Sequence, residues 1–264
     1  MDAIEMTQFG QLPAVLLRAP DGAEATVTLY GAHLVSWKDG GGRERLFCSA
    51  LSALDGSRAI RGGVPVIFPQ FGERGDGMRH GFARVSSWRL KASGVKEGAA
   101  FARFVLEPAD LAPAMAAAWP HAFALELYVA VRGGELEMTL DVRNKGAAAF
   151  AFAAALHTYH LVEDVAQVRI GGLGDEMLAI DGKLDAVYED VGPAISLESG
   201  ADWLILEQEG FTDAVVWNPG AADAAALADM ADDEYRRFVC IEPALLGPLT
   251  LAPGAKWRGE YRIS

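Results

Sequence analysis

The stretch FALELYVAVRGGELEMTLDVRNKG, residues 123–146, indicates the fold class. Apolar and polar residues alternate through it, so that Leu136 and Met138 face one side of an extended chain and Glu137 faces the other. Between the two alternating halves, RGGE at residues 132–135 is a hairpin turn signal. The pattern predicts two neighbouring antiparallel strands.

Short β-rich runs separated by Gly, Asp, Asn or Pro turn signals recur along the rest of the chain. They are AVLLRAP (14–20), EATVTLYGAHLVSWKD (24–39), SSWRLKAS (86–93), AAFARFVLEP (99–108), QVRIGGLG (167–174) and WLILEQEG (203–210). Helical character is confined to residues 108–119, which Pro113 interrupts, and residues 221–238. Since no repeat, linker or composition break divides the chain, we expect one all-β domain over residues 1–264, a large antiparallel sandwich with a few short helices.

Composition limits the classes of partner. With 264 residues, 51% hydrophobic and 22% charged, the chain is long and apolar enough for a large core and has the profile of a soluble globular protein. Its formal net charge of -13 argues against a nucleic-acid or anionic-membrane surface, because such partners require a basic patch. A phosphate group would have to be held locally.

Cysteine usage and the N-terminus predict the compartment. Cys48 and Cys240 are the two cysteines, and their spacing suggests neither a disulfide framework nor a zinc site. The N-terminal residues lack a basic region followed by an apolar run, and no apolar stretch reaches the length of a membrane span. We therefore expect a cytoplasmic protein with no membrane association.

One segment concentrates positive charge. The sequence IRGGVPVIFPQFGERGDGMRHGFAR, residues 60–84, holds four arginines and no lysine. Arginine suits a phosphate monoester because its planar fork donates two parallel charge-assisted hydrogen bonds. Arg61 precedes two glycines that we expect to let the backbone approach a ligand closely. His80 and Arg84 are an even number of positions apart and would share one face if the segment were extended. Arg74, in a loop rich in acidic residues, is expected to be solvated.

Ordered motifs resemble one family. They are IRGGVPVIFPQFG, HGFAR, a tryptophan at position 88, LHTYH, LDAVYED, DAVVWNP and FVCIEPA, and they run in order over nearly the whole chain. Together they resemble the hexose-6-phosphate mutarotase (glucose-6-phosphate 1-epimerase) branch of the aldose 1-epimerase superfamily. The resemblance implies a galactose-mutarotase-like β-supersandwich of antiparallel sheets, with a sugar cleft on the concave face of a large sheet.

The chemistry of that family requires a base for the anomeric hydroxyl and an acid for the ring oxygen. The resemblance implies His157 as the acid and Glu242 as the base, with no cofactor and no metal. From the residues alone, a core histidine hydrogen-bonded to backbone is the favoured interpretation of His157, and the resemblance reverses this preference. Glu242 stands among apolar residues, where an unpaired charge is costly, or else ends a strand and points to solvent. His160 is three positions from His157 and is expected to be structural.

The resemblance also implies a set of substrate contacts, Arg61, Arg79, His80, Arg84 and Asp185. Relatives commonly have glutamine at position 79, and the arginine there either strengthens phosphate binding or points to solvent. The alternative for the other arginines is an ion pair with one of the chain's many carboxylates. Asp185 is otherwise an exposed turn acid. Trp217 is expected to belong to the core rather than to a sugar platform.

The function implied is interconversion of the α and β anomers of a hexose 6-phosphate by acid/base ring opening and closure, in a monomer or weak homo-oligomer. Two alternatives remain open. A mutarotase for unphosphorylated aldoses would share the fold and the acid/base pair but would not need the arginines. A non-catalytic carbohydrate-binding protein would keep the cleft without needing both His157 and Glu242.

Overall fold

The chain folds into three antiparallel β-sheets, as seen in a computed structural model that describes residues 3–264. The strands are β1 Ile4–Phe9, β2 Leu12–Arg18, β3 Glu24–Thr28, β4 His33–Lys38, β5 Val66–Ile67, β6 Arg89–Lys96, β7 Ala99–Leu106, β8 Phe123–Arg132, β9 Glu135–Asn144, β10 Phe150–Leu156, β11 Tyr159–Leu161, β12 Val168–Gly171, β13 Leu178–Ala179, β14 Leu184–Tyr188, β15 Ala194–Ser199, β16 Asp202–Glu209, β17 Asp213–Asn218, β18 Phe238–Leu251 and β19 Lys256–Ile263. The helices of the described residues are α1 Pro113–Ala118 and α2 Gly220–Ala224, with 3-10 turns at Ala83–Val85, Pro108–Asp110, Val165–Gln167 and Glu234–Arg237. The all-β class is confirmed.

The sheets differ in size. A nine-stranded sheet has the order β13-β12-β15-β16-β19-β9-β8-β7-β6. A six-stranded sheet has the order β14-β17-β18-β10-β5, with β11 also paired to β18, and a four-stranded sheet contains β1 to β4 in chain order. The hairpin predicted at residues 123–146 is confirmed, since β8 pairs with β9 from Phe123 opposite Asn144 to Arg132 opposite Glu135.

A hydrophobic core cluster joins the three sheets. It takes Leu17 and Trp37 from the four-stranded sheet, Leu127 and Leu140 from the nine-stranded sheet, and Ile241 from the six-stranded sheet. All five side chains are buried. Because one face of each sheet supplies this core, the opposite face of the six-stranded sheet is left for other uses.

Two predicted elements differ in detail. The run at 24–39 is two strands, β3 and β4, because the chain turns at residues 29–32, where Gly31 and Ala32 have positive φ angles of 79° and 45°. The helix predicted at 221–238 is wrong over most of its length: α2 ends at Ala224, and residues 225–233 are turns and irregular chain before the 3-10 turn. None of the helices in residues 3–264 is long and apolar enough to cross a membrane.

Candidate active site

The candidate site lies on the face of the six-stranded sheet that points away from the main core, here called the site face. Strand β18 alternates between the two faces. Val239 and Ile241 join the main core, whereas Cys240 and Ala244 belong to clusters on the opposite side. Glu242 lies between these two in the alternation, so its side chain is on the site face. Its exposed fraction is 1%, which is unusual for a carboxylate.

Strand register places further polar and aromatic residues in one row across this face. Asp185 is opposite Trp217, Trp217 is opposite Cys240, and Cys240 is opposite Tyr159. Residues directly opposite each other in antiparallel strands project their side chains to the same face. The row therefore runs from exposed Asp185 at the sheet edge to buried Tyr159 beneath the arginine segment.

Small side chains surround Glu242 on the site face. Ala155 is opposite Ala244, and Ala153 belongs to the same cluster. Val215, directly opposite Glu242, supplies a further apolar wall. Alanine at these positions adds little side-chain volume beside the carboxylate of Glu242.

His157 reaches the same place from the end of β10. The strand stops at Leu156, the His157 N–H donates to the carbonyl of Pro65 at 3.0 Å, and the chain resumes as β11. This break turns the imidazole over the site face, where Nδ1 lies 3.2 Å from Oε1 of Glu242. Nδ1 of His157 and Oε2 of Glu242 are both buried without a hydrogen-bond partner. The structure therefore brings together His157 and Glu242, the two residues expected to form the acid/base pair.

Burial opposes charge on both groups. It lowers the pKa of His157 well below its usual range, and His80, Arg84 and Arg61 lower it further. Burial raises the pKa of Glu242 well above its usual range, and the nearby charge of Asp185 raises it further. A protonated His157 is therefore a strong acid, and an ionised Glu242 is a strong base.

His80 stands beside His157, with ring centroids 5.7 Å apart. The Gly72 N–H donates to His80 Nδ1 at 3.2 Å, so the ring proton is on Nε2. Burial, with the cations Arg84 and Arg79 adding to it, lowers the pKa of His80 to about 3. A histidine held neutral in this tautomer can donate a hydrogen bond to a sugar oxygen but does not supply a proton.

The expectation that His80 and Arg84 share the face of an extended segment is wrong. His80 has a φ of +63°, and Ala83–Val85 is a 3-10 turn. The reason is Gly81, where a Cβ atom would lie 2.0 Å from the carbonyl oxygen of Phe68. The chain must turn sharply at this close approach, and the turn rather than strand periodicity brings both side chains to the site.

The glycines after Arg61 serve packing rather than ligand approach. A Cβ on Gly62 would lie 2.5 Å from the Phe47 carbonyl oxygen, and one on Gly63 would lie 2.2 Å from the Leu34 carbonyl oxygen. Both have positive φ angles. The two glycines let the arginine segment cross other backbone, which corrects the expectation drawn from the sequence.

Arg61 points into the site with its fork already engaged. Its Nε and Nη2 each donate to Asp229 at 3.2 Å, and Nη1 donates to the Tyr159 hydroxyl at 3.1 Å. Asp229 lies in the irregular segment between α2 and β18. This is the ion pair that the sequence left as an alternative for Arg61, although the guanidinium is close enough to lower the pKa of His157.

Arg84 is half-buried and has no carboxylate partner in residues 3–264. Its Nη2 donates to the Arg79 carbonyl at 3.0 Å, and its Nε is buried without a hydrogen-bond partner. Burial lowers the pKa of Arg84, as do Arg61 and Arg79. Exposed Arg79 lies on the same side, while exposed Arg74 is in the loop above. An unpaired, half-buried guanidinium is well suited to an anion.

Four residues around His157 and Glu242 were not assigned to the site from the sequence. Tyr159 stacks on His157 with centroids 5.0 Å apart, and Trp217 stands edge-on to His157 at 6.1 Å. Trp217 is half-buried and packs against a smaller hydrophobic cluster on the site face, outside the main core. Cys240 is two positions before Glu242, and this even spacing alone could have placed it on the same face. Nothing in the sequence singles out Asp229 among so many acids.

One set of these side chains could hold a metal ion. A nitrogen of His157, the sulfur of Cys240 and a carboxylate oxygen of Glu242 all lie within 4.8 Å of one another. The spacing of these residues in the sequence gave no sign of it, because His157 comes from a different strand connection.

The fold and the site define a class of protein, the mutarotase-like β-supersandwich. A mutarotase structure from Salmonella typhimurium, "putative mutarotase (YeaD)", superposes with a TM-score of 0.89 at 29% identity, covering 99% of this chain and 92% of that one. Galactose 1-epimerase from Lactobacillus acidophilus shares the fold with a TM-score of 0.76 at 14% identity, over 100% of this chain and 98% of that one.

The chain belongs to the aldose 1-epimerase family, whose model matches residues 13–187, and it is an isomerase. A relative from Cenchrus ciliaris, "Putative glucose-6-phosphate 1-epimerase", is 35% identical over 96% of this chain and 84% of its own length. A relative of the same name from Escherichia coli is 34% identical over 90% of this chain and 84% of its own. The resemblance inferred from the motifs is confirmed.

Proposed function

We propose that this protein interconverts the α and β anomers of a hexose 6-phosphate, with glucose 6-phosphate as the first substrate to test. The observation that supports this most strongly is the pairing of His157 and Glu242 on the site face, each with an unpartnered buried atom. Two relatives that are about one third identical over most of the chain are named for this activity, glucose-6-phosphate 1-epimerase.

The proposed reaction needs a single proton on the pair. Ionised Glu242 takes the proton of the anomeric hydroxyl while protonated His157 gives its proton to the ring oxygen, and the C1–O5 bond breaks to leave an aldehyde. Rotation about C1–C2 presents the other carbonyl face. Ring closure returns one proton from O5 to His157 and one from Glu242 to O1. Atoms and protons balance without a cofactor or a metal.

Burial favours the open-chain state of this cycle. After ring opening both groups are neutral, the form that burial promotes for a histidine with a lowered pKa and a carboxyl with a raised pKa. The desolvation that makes the starting ion pair costly therefore contributes to the driving force for proton transfer. His80, with its proton on Nε2, is placed to donate to a sugar oxygen. Asp185, exposed on the edge strand β14, is assigned to accept from a sugar hydroxyl.

The phosphate is assigned to the arginines. Arg84 is the principal contact, because its guanidinium is half-buried and lacks a counter-ion among the described residues. Arg79 adds charge at the rim. Arg61 contributes mainly through its field, since Asp229 engages its fork. An Arg61 that is engaged by Asp229 is not needed for phosphate, which agrees with a mutarotase for unphosphorylated aldoses. The test therefore includes this second function.

Residues 1–264 are proposed to act as one domain, supported by a core cluster that draws on all three sheets. A reducing, cytoplasmic location agrees with the two free thiols, Cys48 and Cys240. The oligomeric state, a monomer or weak homo-oligomer, stays a prediction.

The test is saturation-transfer NMR on the anomeric protons of glucose 6-phosphate and of glucose, at matched protein concentrations. We expect transfer between the α and β signals of the phosphorylated sugar to be accelerated strongly, and transfer in free glucose much less. Equal acceleration of both sugars would support the unphosphorylated-aldose function. No acceleration of either would support a carbohydrate-binding role.

A further inference from the structure

Three chemically different donors converge on the site face. His157 offers an imidazole nitrogen, Cys240 a sulfur and Glu242 a carboxylate oxygen, all within 4.8 Å of one another. The proposed proton transfers use His157 and Glu242 and give no task to the thiol. Cys240 is nevertheless aligned with Glu242 on β18, two positions away and on the same face.

Two of these three metal-ligand side chains have buried polar atoms without hydrogen-bond partners in the protein. His157 is 9% exposed and Glu242 1% exposed, yet His157 Nδ1 and Glu242 Oε2 have no hydrogen-bond partner. Buried polar atoms normally find partners, so atoms left free around one point indicate a ligand that fills the space. The sugar satisfies this requirement during the reaction. A cation satisfies it equally.

The donor set and its spacing match zinc. Ligand atoms bonded to one tetrahedral zinc ion lie about 3.3–3.8 Å apart, because its bonds to N, O and S are about 2.0–2.3 Å long. The His157 Nδ1 to Glu242 Oε1 distance is already 3.2 Å. The remaining separations are at most 4.8 Å, so they exceed the tetrahedral spacing by no more than about 1.5 Å. Three protein ligands leave a fourth position for water.

Zinc binding would require two ligands to ionise. Cys240 would lose its thiol proton to solvent and Glu242 would become a carboxylate, against the burial that disfavours both charges, and the two negative ligands would then balance Zn²⁺. Asp185 adds negative potential close to Glu242. Asp229 pairs with Arg61, the cation that acts on Cys240, and so offsets part of its charge. Arg84 opposes the ion and limits its affinity.

We propose that Zn²⁺ binds to His157, Cys240 and Glu242 and thereby blocks the isomerase. The ion would occupy the atoms that must exchange protons with the sugar, so metal and sugar exclude each other. The binding half of this proposal rests on the cluster alone. The inhibition half rests on the proposed function.

The test begins with the metal-free full-length chain and ZnCl₂, titrated in competition with a chromophoric chelator. We expect one bound equivalent in the wild type. Cys240→Ala should weaken binding at least about tenfold, since even outer-shell changes cost 10–100-fold at metal sites. Cys48→Ala is the matched control, because the other cysteine lies outside the cluster, and its zinc affinity should be unchanged. MgCl₂ should not bind, because this donor set is too soft for it.

Cobalt supplies a direct report on the ligands. Co²⁺ in the same site should give a thiolate-to-metal charge-transfer band that is present in Cys48→Ala and absent in Cys240→Ala. Circular dichroism of each variant checks that the fold is kept, and Glu242→Gln provides a second variant that should also weaken zinc. A wild type that fails to bind zinc, or Cys240→Ala binding it with wild-type affinity and an unchanged cobalt band, would overturn the proposal.

Inhibition is measured separately, with each variant's rate normalised to its own zinc-free value. Zinc should raise the apparent KM for glucose 6-phosphate and leave kcat unchanged in the wild type and Cys48→Ala, while Cys240→Ala resists it. Zinc binding in a protein without isomerase activity would leave the metal site standing and remove the proposed function. Isomerase activity unaffected by saturating zinc would leave the proposed function standing and overturn the inhibition.

Discussion

Nδ1 of His157 lies 3.2 Å from Oε1 of Glu242, although His157 follows the end of β10 and Glu242 lies within β18, which pairs with β10. Neither group can be charged there without a cost in desolvation, because both are almost fully buried. A pair that holds one proton between two such groups is the feature on which the proposed chemistry depends. Its protonation should be visible in both rate and stability.

The rate should follow a bell-shaped dependence on pH. Activity needs one proton on the pair, so it falls in acid when both groups are protonated and in alkali when neither is. Because the pKa of His157 is lowered from 6.5, the acid limb should lie below that pH, and because the pKa of Glu242 is raised from 4.5, the alkaline limb should lie well above that pH. The measurement is kcat/KM against pH, with the spontaneous rate subtracted and the substrate phosphate, which titrates near about 6, followed by ³¹P NMR. An acid limb centred above pH 6.5 would contradict the assignment to His157.

Glu242→Gln should stabilise the fold at neutral pH and leave it closer to wild type in acid. A carboxyl whose native pKa is raised adds stability that is fully present below its unfolded pKa, near 4.5, and is lost as pH rises through the native value. Glutamine does not titrate, so the difference in Tm between variant and wild type should grow as pH rises. Thermal unfolding of both proteins across that range checks it. A difference in Tm that shrinks with rising pH would mean that Glu242 is stabilised as a carboxylate.

The sequence predicted the strands better than the site. Alternation in β8 and β9 reflects a local rule, since one face of a sheet packs on the core and the other does not. The residues that surround the acid/base pair are brought there by the pairing of strands distant in sequence, which no local pattern predicts. Asp229 reaches Arg61 from an irregular segment mistaken for helix, and Trp217 comes from a strand whose apolar run suits either face. The His80 turn depends on Gly81 meeting the backbone of Phe68, a contact that exists only in the folded chain.

Arg84→Ala should impair glucose 6-phosphate more than Arg61→Ala does. Removing charge-assisted hydrogen bonds from Arg84 costs roughly 1.5–3 kcal/mol, about ten- to hundred-fold in kcat/KM for the phosphorylated sugar. Arg61 has its fork on Asp229, so its loss should cost less specificity and more stability. The measurement is kcat/KM for both sugars with Tm for each variant. Arg84→Lys should recover part of the loss.

Arg89→Ala is the control for these arginine variants, since Arg89 is exposed and pairs with Glu107 and Asp110 instead. It should leave both sugars unaffected. Equal losses on glucose and glucose 6-phosphate in Arg84→Ala would show that this arginine supports the fold or the sugar ring rather than the phosphate.

Chelators should not lower activity. The proposed proton transfers need only His157 and Glu242, and a metal on these atoms would obstruct them. Dialysis against EDTA, followed by metal analysis and a rate measurement, should give the same rate or a higher one. A rate abolished by chelation and restored by a divalent ion would require a different chemistry at this site.

The most direct measurement of the central claim is two-dimensional magnetisation-exchange NMR between the anomers of glucose 6-phosphate, with wild type, His157→Ala and Glu242→Gln at equal concentration. The wild type should exchange the anomers far faster than buffer, and each variant should be slower by at least about 10²-fold while circular dichroism shows an intact fold, because each lacks one proton-transfer partner. Losses under tenfold in well-folded variants, or no exchange above buffer in the wild type, would contradict the account.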